Sequence, residues 1–134
     1  MSENGDDVIK PSSSFRHFVN ACKNSYAGFR DGLVQEMAIR QICGAFLVLL
    51  PISLLLPVSA LERLILIVTM MQAILVEFLN SAIESVVDRI SLERHPLSKH
   101  AKDFGSVATG IALLISALCW IVISGPVIVR SIGK

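Results

Sequence analysis

From Phe15 onward the apolar residues recur every three or four positions: Phe15, Phe18, Val19, Cys22, Tyr26, Phe29, Leu33 and Met37. Arg16, His17, Asn20, Lys23, Asn24, Arg30 and Asp31 fill the opposite side. This spacing predicts an amphipathic helix over about residues 13–37, capped by Ser12, Ser13 or Ser14 and suited to lying along a membrane surface. In isolation the same pattern would also fit a helix packed on a soluble core. Gly28 and Gly32 within it mark either close packing or a bend. Residues 1–12 are polar and read as a flexible tail.

The pattern then changes. Gln41 to Leu61 is a run of 21 residues without charge, long enough to cross a hydrocarbon layer about 30 Å thick. Pro51 suits a kink in it and Pro57 an exit, with Glu62 and Arg63 in a very short turn. A second span is expected over about residues 64–88, and a third over Phe104–Val129, another charge-free run, of 26 residues. Small residues crowd the start of the third span, which allows close helix contact. Trp120 either anchors at the far interface or packs. The expected fold is an all-α membrane protein: an N-terminal surface helix and three transmembrane helices, in a single domain over residues 13–134.

The second span carries the chemistry. Its first thirteen residues, LILIVTMMQAILV, are too few to cross, so Glu77 falls within or at the edge of the bilayer. Each helical residue advances about 100°, which puts Glu77, Glu84 and Asp88 in one narrow sector flanked by Asn80 and Ser81. Phe78, Leu79, Ile83, Val86 and Val87 point elsewhere. A carboxylate there costs roughly 2.5–3.5 kcal/mol on insertion scales, which makes it a functional candidate by default.

Charge adds orientation. Nine Lys and Arg lie before the first span or between the second and third, against three on the other side: Arg63, Arg130 and Lys134. The N-terminus and the 89–103 loop are therefore expected in the cytoplasm. Overall the chain is 53% hydrophobic and 17% charged, with a net charge of +1 that offers no footprint for nucleic acid. Cys22, Cys43 and Cys119 sit in apolar surroundings with no metal spacing. No secretory signal is expected in the first 37 residues, which hold no unbroken apolar segment.

Three uses suit the acidic stripe. With Glu36 it could hold Mg²⁺, which takes one or two carboxylates plus phosphate oxygens. One carboxylate could accept a proton from a lipid hydroxyl. Or the stripe could line a cation path, as in a small membrane channel without enzymatic activity. Arg89, Arg94, Lys99 and Lys102 lie just cytoplasmic of it, where phosphates could be neutralised, although the same residues satisfy the positive-inside rule alone. Salt bridges to a neighbouring helix are the structural alternative for the carboxylates. No GxxxxGK[ST] or GxGxxG phosphate loop is present.

The run E-F-L-N-S-A-I-E-S-V-V-D closely resembles the signature of the prokaryotic integral-membrane diacylglycerol kinases, matched at Glu77, Asn80, Ser81, Ala82, Ile83, Glu84, Val87 and Asp88. A-K-D-F-G-S at Ala101, Lys102, Asp103, Gly105 and Ser106 matches a second family segment. Gly28, Arg30, Glu36, Ala38, Arg40 and Gln41 resemble a third, so that the likeness spans about residues 13–124. It implies an ATP- and Mg²⁺-dependent kinase that converts 1,2-diacylglycerol to phosphatidic acid. It also implies a homotrimer with shared sites in the bacterial cytoplasmic (inner) membrane. By the same resemblance Glu77 is the general base and Glu36 and Glu84 are Mg²⁺ ligands at the ATP phosphates. Glu93, Arg94, His95, Lys102 and Asp103 contact nucleotide, with Lys102 neutralising phosphate charge. Asn80 and Asp88 support the site, and Arg30 and Ser106 meet the lipid head region with Glu77. Within the same fold, an undecaprenol kinase is the near alternative.

Overall fold

The computed structural model describes residues 14–90, 93 and 95–132. The tail over residues 1–12 lies outside the described residues, as do Ser12 and Ser13. Four helices make up the regular structure among the described residues: α1 (Ser14–Gln35), α2 (Met37–Leu55), α3 (Ala60–Ile90) and α4 (Pro96–Ile132). The last three are long and apolar enough to cross a membrane.

The helix ends differ from the sequence expectation for local reasons. Glu62 and Arg63 lie in the first turn of α3, not in a connecting turn, because Ser59 and Glu62 form a capping box. The Ser59 amide donates to Glu62 Oε2 at 2.8 Å, the Ser59 hydroxyl donates to the same oxygen at 2.7 Å, and the Glu62 amide donates back to Ser59 Oγ at 3.3 Å. The reversal is made by Leu56 to Ser59, and Arg63 stitches it by donating to the carbonyls of Ser53 (3.0 Å) and Leu56 (3.1 Å). Pro51 is carried inside α2. The expected 89–103 loop is also shorter, since α4 begins at Pro96. A first-turn proline loses no helical hydrogen bond, and His95 Nδ1 accepts the Leu97 amide at 3.2 Å, as a capping side chain does. Lys99, Lys102 and Asp103 therefore stand on the first turns of a helix.

The chain divides between Asp31 and Gly32 into two units. In the first, α1 presents Phe15, Phe18, Tyr26 and Phe29, all exposed, on the expected apolar face. The second unit begins with the last turn of α1 and holds α2, α3 and α4. Here α3 is the central element, packing on both α4 and α2.

The buried positions of α3 are Leu66, Thr69, Met70, Ala73, Glu77 and Asn80, recurring every three or four residues. Small residues face inward from α4, where Gly105, Ala112, Ser116 and Ser124 are buried. Large apolar side chains such as Leu75, Leu79, Leu114, Ile121 and Val122 point outward. Small or polar inside and large apolar outside is the arrangement of helices solvated by lipid, where close backbone approach replaces a hydrophobic drive. The acidic stripe thus continues the inner seam. Gly32 serves close approach: a Cβ there would stand 2.7 Å from Phe78 Cε1 and 3.0 Å from Ile39 Cδ1. Around Gly28 nothing lies within 4 Å of such an atom.

Candidate active site

The antiparallel packing of α3 and α4 sets Glu77, Asn80 and Asp88 of the acidic stripe against α4. Glu77 is 5% exposed, and its Oε2 accepts a hydrogen bond from Thr109 Oγ1 at 2.9 Å. One turn on, Asn80 Nδ2 donates to Glu84 Oε1 at 3.3 Å. Asn80 Oδ1 is buried with no hydrogen-bond partner, and it closes over Gly105, where any Cβ would collide with it. At the end of the stripe Lys102 Nζ lies 2.6 Å from Asp88 Oδ1. As α3 descends from Glu77 to Asp88, its partners step back along α4 from Thr109 to Lys102.

Beyond this end lies a cavity of about 620 Å³. Asp88, Glu93, His95, Lys99, Lys102 and Asp103 line it, together with Val87, Pro96, Ser98 and His100. A second ion pair, Lys99 Nζ to Asp103 Oδ2 at 3.2 Å, spans one turn of α4 on its wall. Both lysines are thus held by carboxylates while remaining partly exposed, so an anion entering the cavity can compete for them. The volume falls in the range of small-molecule sites.

Glu36 occupies a one-residue break between α1 and α2, extended at φ −103°, ψ 117°. Its amide closes α1 on the Gly32 carbonyl (2.9 Å), and its carbonyl starts α2 by accepting the Arg40 amide (3.2 Å). The Arg40 guanidinium reaches back, its Nη1 donating to the carbonyls of Leu33 at 3.2 Å and Val34 at 2.8 Å. Those are carbonyls that a helix end leaves unsatisfied, and a cation there also complements the helix dipole.

The model of the prokaryotic diacylglycerol kinases matches residues 23–124. The chain belongs to that family. It is 46% identical over 112 residues to the diacylglycerol kinase of Pseudomonas aeruginosa, covering 84% of this chain and 91% of the relative. Identity to the diacylglycerol kinase of Escherichia coli K12 is 40% over 112 residues, covering 84% and 92%. The Helicobacter pylori 26695 protein of the same name is 33% identical over 114 residues, covering 85% and 89%. The matched region includes the whole α3–α4 seam, the Glu36 break and the cavity.

Within this kinase fold the expected site residues separate into groups. Glu77, Asn80 and Glu84 follow one another on α3, and Asp88, Glu93, His95, Lys102 and Asp103 share the cavity. Arg94 lies outside the described residues. Glu36 is half-buried at its break and takes no part in the cavity lining. Arg30 is an exposed side chain of the first unit, and Ser106 is exposed on α4.

Two contacts around the stripe and the Glu36 break are not foreseen from the sequence. Thr109 counted there only as a small residue, because its bond to Glu77 depends on the register between two helices. Arg40 counted only as a charge and a motif letter, although an arginine just after a helix break is a recognisable C-terminal capping signal. Trp120, for which packing was one alternative, lines an apolar groove of about 380 Å³ between α2 and α4 with Met70 and Leu113.

Proposed function

We propose that this enzyme transfers the γ-phosphoryl group of ATP to the hydroxyl of 1,2-diacylglycerol, giving phosphatidic acid and ADP. The observation that carries the reading is the buried Glu77 carboxylate on an apolar helix, in line with Glu84 and, further along, a cavity walled by two lysines. A lipid hydroxyl reaches such a carboxylate from the bilayer, and the nucleotide comes from the other end of the same stripe. Glu77 takes the hydroxyl proton as the oxygen attacks the γ-phosphorus. Lys102 gives up Asp88 to neutralise phosphate charge, and Asp103, Glu93, Arg94 and His95 contact the nucleotide. Arg30 and Ser106 meet the lipid head region with Glu77, and Asp88 keeps Lys102 placed when no phosphate is present.

The donor set fits Mg²⁺. Glu36, Glu84 and the unsatisfied Asn80 Oδ1 are all hard oxygen donors. Mg²⁺ held by one or two carboxylates takes its remaining ligands from phosphates and water. We assign Glu36 and Glu84 to hold it, with Asn80 orienting Glu84. When bound, Mg²⁺ would neutralise charge on the β- and γ-phosphate oxygens. The lysine and arginine bias supports a cytoplasmic N-terminus and a cytoplasmic segment over residues 89–103, with the chain in the bacterial inner membrane. Association as a homotrimer with shared sites is what the family resemblance implies.

The deciding experiment offers labelled ATP–Mg²⁺ with diacylglycerol and undecaprenol side by side in mixed micelles, with Glu77→Gln as the control. Transfer to diacylglycerol that is lost in the variant supports the reading. Transfer to undecaprenol alone would move the enzyme to a different lipid. No transfer to either from a folded protein would sink the kinase reading and bring forward a cation channel lined by Glu77.

A further inference from the structure

We infer that Thr109 is the positioning residue of the general base: its hydroxyl occupies Glu77 Oε2 and so reserves Oε1 for the proton of the lipid hydroxyl. The inference rests on Glu77 being that base. A threonine or serine within a helix ordinarily turns its hydroxyl back on its own backbone three or four residues earlier. Thr69, Ser85, Ser124 and Ser131 all do so here, onto the carbonyls of Ile65 and Leu66, Ser81, Trp120 and Val127. Thr109 has the same option and instead reaches across to α3, donating to Glu77 Oε2 at 2.9 Å.

The consequence is geometric. A glutamate has three side-chain torsions, and helix packing alone leaves the last of them broad. A donor at fixed distance on a rigid neighbouring helix selects one carboxylate orientation, with the other oxygen turned away from α4. Oε1 has no hydrogen-bond partner among the described residues, so it is the oxygen left free to accept from a substrate hydroxyl. Because the hydroxyl hydrogen of Thr109 is committed to Oε2, the proton leaving the lipid goes to Oε1. A near-attack geometry depends on such fixation, and misplacement of the reacting group by about 1 Å can cost 10²-fold in rate.

The test uses the full-length enzyme in mixed micelles with diacylglycerol and Mg²⁺–ATP, comparing Thr109→Val, Thr109→Ser and Glu77→Gln. Valine keeps the shape and removes the donor, whereas serine keeps the donor. Thr109→Val is expected to lower kcat about 10- to 100-fold while leaving both KM values and the unfolding temperature near those of the parent. Thr109→Ser is expected to restore most of kcat. Wild-type kcat in Thr109→Val, with Glu77→Gln inactive, would overturn the inference and leave the base intact. Equal losses in the valine and serine variants would also overturn it, by showing that the methyl packing matters and the hydroxyl does not. An active Glu77→Gln enzyme would instead remove the base reading itself, a separate outcome.

Discussion

Lys102 on α4 and Asp88 on α3 meet at 2.6 Å, tying the mouth of the cavity to the end of the acidic stripe. Their side chains are 37% and 51% exposed, so solvent screens the pair and it contributes little to stability. Under the proposed function its value is positional: the ammonium would be held where an arriving phosphate can take it over. Lys102→Met is expected to lower phosphate transfer at least about 100-fold, the usual cost of removing a group that stabilises transition-state charge. Asp88→Asn should be milder, a rise of several-fold in KM for ATP with kcat less affected. Kinetics at varied ATP, with thermal unfolding run in parallel, checks both. A large drop in unfolding temperature for Lys102→Met would show the pair to be structural instead.

Glu36 and Glu84 come from different elements, and under the proposed function each would bring one carboxylate to the cation. Chelation of Mg²⁺ is expected to abolish transfer reversibly. Glu84→Gln and Glu36→Gln should each raise the Mg²⁺ concentration needed for half-maximal rate by about tenfold or more, since a neutral amide is a poorer ligand for a hard cation. Arg40 sets the break at which Glu36 stands, through the Leu33 and Val34 carbonyls. Arg40→Ala should therefore shift the same Mg²⁺ titration, by less than Glu36→Gln does. Unchanged Mg²⁺ dependence in Arg40→Ala would separate the cap from the metal site.

Much of this was legible in one dimension, and the exceptions share a cause. The three apolar helices follow from runs of uncharged residues, and the one-sided placement of Glu77, Asn80, Glu84 and Asp88 follows from helical spacing. The helix ends are harder to read because a pair of charges between apolar runs looks like a turn. Glu62 and Arg63 instead serve the first turn of α3, through a Ser-x-x-Glu box that is itself visible in the sequence. Likewise the charges around Lys99 and Lys102 suggest a loop, whereas Pro96 after a capping His95 opens a helix. The pairing of Thr109 with Glu77 and of Gly105 with Asn80 was not legible at all. Both depend on the register of two antiparallel helices, which no local pattern encodes.

The α2–α3 reversal gives a stability prediction free of the site. Ser59 is capped against Glu62, and Arg63 holds two carbonyls at the end of α2. Ser59→Ala should destabilise by about 1 kcal/mol, the typical cost of losing an N-cap. Arg63→Ala should cost more, since both carbonyls lose a charged donor, each such bond being worth about 1.5–3 kcal/mol at most. Phosphate transfer by the folded variants should remain near normal. Loss of activity at an unchanged unfolding temperature would contradict the purely structural role given to this turn.

Gly105 and Gly110 lie on the same helix, yet a methyl group added at each meets different surroundings. At Gly105 the new Cβ would collide with Asn80 Oδ1 and lie 3.1 Å from Asn80 Cγ, whereas at Gly110 nothing lies within 4 Å. Gly105→Ala must therefore push Asn80 aside or part α3 from α4, at an expected cost of about 1–3 kcal/mol. The displaced amide would also release Glu84, so transfer should fall together with stability and the Mg²⁺ requirement should rise. Gly110→Ala should be neutral or slightly stabilising, because alanine is the better helix former by about 1 kcal/mol. Paired measurements of unfolding and of Mg²⁺-dependent activity settle the comparison. Equal behaviour of the two variants would mean that the α3–α4 seam is looser at Asn80 than its buried, close-fitting amide indicates.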